Sequence, residues 1–130
     1  MDLARPHALI GLLIVSAWAI LAGWGVALRF TRYEETPTYW RAVSVGQILL
    51  GLQLLYGLVL FGVGRLPGEG GWFVTLFHPL YGFVFPLLVL FFAHKWARER
   101  RYDPHLAFGV ASFVIFALTV RAWMVGAGIG

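Results

Sequence analysis

The 130 residues are 60% hydrophobic and only 12% charged, with a mean hydropathy of +0.79, whereas water-soluble domains carry about 25% charged residues. A soluble domain of this length has too little interior to hide so much apolar surface, so composition excludes a water-soluble fold and requires lipid as the solvent. The net charge of +4 lies in short clusters between apolar runs, which excludes a continuous nucleic-acid groove, and the lack of Cys excludes disulfides and thiolate metal centres.

A hydrocarbon core of about 30 Å is crossed by about 20 helical residues. Four segments reach that length: 7–29, 40–63, 72–95 and 104–126. They predict an all-α integral membrane four-helix bundle, up-down-up-down with short loops, as a single transmembrane domain over 1–130. Uninterrupted apolar runs exclude a β-barrel, whose strands alternate. The first run follows Met1-Asp2-Leu3-Ala4-Arg5-Pro6-His7. It is too long for a signal-peptide core and has no small-residue cleavage site, so it reads as a retained helix.

The second run carries Gln47, Gln53 and Tyr56, polar groups that satisfy a neighbouring helix or a quinone carbonyl. In the third, Pro86 removes a backbone donor one turn beyond Gly82, predicting a kink there. Gly11, Ala17, Gly23, Gly46, Gly51, Gly57, Gly82 and Gly109 allow close helix approach. Trp24, Tyr39, Trp40, Trp72, Trp96, Tyr102 and Trp123 fall at or near span ends, where amphipathic rings favour the interface.

Orientation follows from basic residues. Arg29, Arg32, Arg41, Lys95, Arg98, Arg100 and Arg101 flank the first and third connectors, against Arg5 and Arg65 on the other side. The positive-inside rule then places both termini outside the cytoplasm of a bacterial inner membrane.

Ionisable groups inside a span are costly and therefore mark function. His78 lies about two turns into the third span, Arg121 near the outer end of the fourth, and His7 enters at that same side. His7 with Gly11, His78 with Gly82 and His105 with Gly109 are each four residues apart, hence on one helical face, and each Gly leaves a notch for a flat macrocycle. A b-type haem needs axial ligands but no Cys. The expected haem site joins His7 and His78 as iron ligands, with Gly11 and Gly82 beside them and Arg121 for a propionate, or paired with Glu69. His78 and His94 are sixteen residues apart, about 160° around an ideal helix, so a second haem on His94 and His105 is not expected. No span contains Asp or Glu, which argues against a proton-driven carrier, and the motifs of hydrolases and phosphate-binding enzymes are missing.

His78-Pro79-Leu80-Tyr81-Gly82, then an apolar helix, a basic connector and Arg121-Ala122-Trp123, together resemble small four-helix bacterial membrane proteins. The histidine-bearing bundle is, more loosely, similar to b-type membrane cytochromes. The latter resemblance implies an electron carrier or haem-bearing subunit of a respiratory or photosynthetic complex, with His78 and His7 as axial ligands. The alternative is a non-catalytic accessory subunit, contacting lipid or quinone within a larger membrane complex or homo-oligomer.

Overall fold

The computed structural model describes residues 2–31, 37–67 and 71–128. Expectations resting on Met1, Arg32, Gly68, Glu69 and Gly70, including the Arg121–Glu69 pair, lie outside the described residues.

Among these residues all regular structure is helical. Helix α1 runs Ala4–Thr31, α2 Pro37–Gly62, α3 Gly71–Pro79, α4 Phe85–Arg98 and α5 Pro104–Gly126, with a π-helical turn at Leu80–Val84 between α3 and α4. Since α3, the π turn and α4 are continuous, the chain has four helices long and apolar enough to cross a membrane. They extend a few residues past several predicted ends because the helix continues through the interfacial aromatic and basic residues. Helix α5 starts where predicted: the Asp103 side chain accepts from Leu106 N–H at 3.0 Å, and Pro104 needs no partner for an N–H it lacks.

Near Gly82, where a kink is expected, the helix carries a π turn. Pro86 cannot return an N–H to the Gly82 carbonyl, and its ring would crowd that oxygen. The backbone widens instead, and the N–H of Phe85 bonds to Leu80 O, five residues back. This turn also changes the angular phase of everything after it.

Helices α1 and α5 form the central pair, with α2 laid along α1 and the third span along α5. The pair meets at Gly25 and Gly109. A Cβ on Gly25 would lie 2.9 Å from Gly109 Cα, and one on Gly109 would lie 3.2 Å from Val26 N. Backbone therefore touches backbone, which lipid-embedded helices need because dispersion replaces the hydrophobic effect between them. Further along, Gly46 of α2 seats the buried Trp18 ring, 3.1 Å from where a Cβ would stand. Gly23 and Gly51 face open space instead.

The outward surface is apolar on every helix, from Leu13 and Ile20 on α1 to Phe113 on α5. Trp72 is 77% exposed, as an interfacial ring would be. Tyr39 differs: it is fully buried, edge-on to Trp24 and Trp40 at 5.5 and 4.9 Å. Gly25 leaves the hollow that its hydroxyl fills, 2.6 Å from where a Gly25 Cβ would stand.

At the end of the bundle opposite the start of α1, His94 Nε2 donates to Gln47 Oε1 at 2.9 Å, tying α4 to α2. Gln47→Leu is expected to lower stability by about 0.5–1.5 kcal/mol, read as a lower midpoint in detergent unfolding. An unchanged midpoint in both Gln47→Leu and His94→Leu would show that the bond holds nothing.

Candidate functional site

Where α1 begins and α5 ends, the helices part around a cavity of about 600 Å³, within the size range of cofactor pockets. Its floor comes from α1 and α5, and its walls come from α2 on one side and α3 with the π turn on the other. His7, Gly11, His78 and Gly82 all line it.

The imidazoles of His7 and His78, 71 positions apart in sequence, come together because α1 and α3 converge on α5; their ring centres are 6.0 Å apart and tilted by 56°. The Nδ1–H of His78 donates to the Ala122 carbonyl at 2.9 Å. That bond fixes the ring and its tautomer, leaving the Nε2 lone pair uncommitted. His7 stacks on Tyr56 at 6.0 Å and 17°, and the Tyr56 hydroxyl donates to Leu3 O at 2.9 Å.

The Gln53 amide donates to the His7 carbonyl at 2.9 Å and stands 3.5 Å from His7 Nε2, too far for more than a marginal hydrogen bond. Among the described residues, His7 Nδ1 and Gln53 Oε1 are buried without a hydrogen-bond partner. Buried polar atoms are nearly always satisfied; these two orphans belong to residues that line the cavity, whereas Trp18 Nε1, Tyr39 Oη, Trp40 Nε1 and His105 Nε2 are orphans outside it.

The glycines act differently from the expected notches. Gly57 and Gly126, on facing helices, make room for the imidazoles: a Cβ there would lie 3.3 Å from His7 Cε1 and 2.9 Å from His78 Cε1. The space over Gly11 is shared with Gln53 and Trp123, and that over Gly82 with Ala122. Gly109, the partner of His105 by spacing, belongs to the α1–α5 crossing.

Arg121 is exposed and is not part of the cavity lining. The arginine that does line it is Arg65, just past α2. His94 is engaged with Gln47, and His105 stacks on Trp40 at 5.4 Å and 22°. The Phe108 ring packs edge-on to both His94 and Trp40, at 4.9 and 5.1 Å.

Fold and site together define an all-helical chain with four helices long and apolar enough to cross a membrane and with a two-histidine cavity at one end. No protein-family model, curated protein or solved structure matches it.

Proposed function

We propose that the chain is a multi-pass protein of the bacterial cytoplasmic membrane, threaded up-down-up-down with both termini outside, that binds one haem b between His7 and His78. It then serves as an electron carrier or haem-bearing subunit of a respiratory or photosynthetic complex. The observation that carries this reading is the imidazole pair, with the His78 Nδ1–H held by the Ala122 carbonyl. Metal-binding histidines characteristically donate their second ring N–H to such a partner. With ring centres 6.0 Å apart, the two imidazoles would be the residues that hold the iron of a bound haem.

When bound, haem supplies reversible one-electron chemistry. The chain's own residues do the rest. His78 and His7 offer ring nitrogens from two helices, Ala122 holds one ring in its tautomer, and Tyr56 backs the other. Gly57 and Gly126 keep side chains away from both, with Gly11 and Gly82 in the adjoining wall. The apolar lining excludes water, which with the axial ligands tunes a haem potential.

A reduced-minus-oxidised visible spectrum of the detergent-purified protein, with a pyridine haemochrome assay, is expected to give one b-type haem per chain. Pigment-free protein after expression with ample haem supply would leave the accessory-subunit reading in front. One observation favours that second reading in a quinone-contacting form. A quinol hydroxyl would accept from His7 Nδ1–H and donate to Gln53 Oε1, satisfying both orphans.

A further inference from the structure

The cavity is apolar through most of its lining, which includes one arginine, Arg65, itself exposed. Helix α2 ends in a left-handed glycine, Gly64 at φ +77°. Its N–H donates to Phe61 O at 3.0 Å, and the next N–H, that of Arg65, donates back to Leu60 O at 2.8 Å. This pair of bonds is the reversing turn that glycine permits at a helix end. It pins the backbone of Arg65 over the last turn of α2, beside Leu60, which lines the same cavity. Pro67 follows and stiffens the exit. Arg65 therefore starts from a fixed backbone point and contributes to the lining of the cavity that holds His7 and His78.

We propose that Arg65 is the anion-binding residue of this site and pairs with a haem propionate carboxylate. The proposal rests on the haem reading above and adds which residue holds the acidic edge of the ligand. A guanidinium matches a carboxylate with two parallel N–H donors, so it orients the ligand as well as attracting it. Arg121, the arginine expected from sequence, stands outside the lining.

The test is a spectroscopic titration of the full-length protein in detergent with haem b and with its dimethyl ester, in which both carboxylates are masked. Wild type is compared with Arg65→Gln, Arg65→Lys, Arg121→Gln and Arg5→Gln, and circular dichroism checks that each variant is folded. Wild type is expected to bind the ester roughly tenfold more weakly than haem, the scale of one charge-assisted pair. Arg65→Gln should bind both forms equally, at the ester's affinity, and Arg65→Lys should recover part of the difference. Arg5→Gln, at the same end but outside the cavity, should keep the wild-type ratio.

An ester penalty that survives intact in Arg65→Gln overturns the assignment, as does one abolished by Arg121→Gln instead. If wild type binds the ester but not haem, the same conclusion follows while the two-histidine site stands. If it binds neither, the haem reading falls and this assignment falls with it.

Discussion

His78→Ala is expected to abolish the Soret band of the purified protein, with haem affinity falling by more than the roughly 10–100-fold that losing a metal ligand's outer partner costs. The side chain removed supplies the ring whose tautomer the Ala122 carbonyl fixes at 2.9 Å. His7→Ala should be milder, leaving one axial ligand and a shifted spectrum. Imidazole added to His78→Gly should restore absorbance, because the cavity left behind has the shape of the missing ring; a purely structural defect would not respond. A wild-type haem spectrum in folded His78→Ala would end the claim that this residue binds iron.

The largest effect on stability is expected at the centre of the molecule. In Gly25→Ala the new methyl would stand 2.6 Å from the Tyr39 hydroxyl and 2.9 Å from Gly109 Cα. Tyr39 has no free space to enter, and Gly109 is backbone, so α1 and α5 must separate. Overpacking of this kind costs about 1–3 kcal/mol, and the upper part of that range is expected here. Gly23→Ala is the matched comparison two positions away: no heavy atom lies within 4 Å of its added Cβ, so the change should fall within about 0.5 kcal/mol. Unfolding midpoints in one detergent would compare them. Equal midpoints would show that the tight crossing contributes nothing to stability.

Hydropathy alone located the four long helices, because a run of about 20 apolar residues has few other physical meanings. It did not reveal which glycines matter. Gly23, Gly25, Gly51 and Gly57 look alike in a sequence of sixteen glycines. Only the packing separates them: Gly25 meets Gly109 at the α1–α5 crossing and Gly57 meets His7, whereas Gly23 and Gly51 face open space.

His7 and His78 were legible as candidates because intramembrane imidazoles are rare, but their seats were not. Gly57 and Gly126 come from other helices, and the Ala122 bond uses a backbone carbonyl that no sequence pattern advertises. Arg65 did leave a signal. A helix followed by Gly64 and, three residues on, Pro67 announces a left-handed stop, and such a stop fixes the residue after it.

The phase of the third span was also hidden. Sixteen ideal helical steps set His94 about 160° from His78. The π turn at Leu80–Val84 intervenes, and each π residue advances less than an α residue. His94 reaches Gln47 on α2, the helix that also walls the His78 cavity.

Helix α2 lies along α1 and reaches the far side of the molecule at isolated points such as Gln47–His94. The α1–α5 seam nevertheless takes part of its closure from α2, whose Tyr39 hydroxyl stands 2.6 Å from where a Gly25 Cβ would lie. A disturbance at the start of α2 therefore reaches the central crossing directly, and the outer helix and the spine respond as one unit.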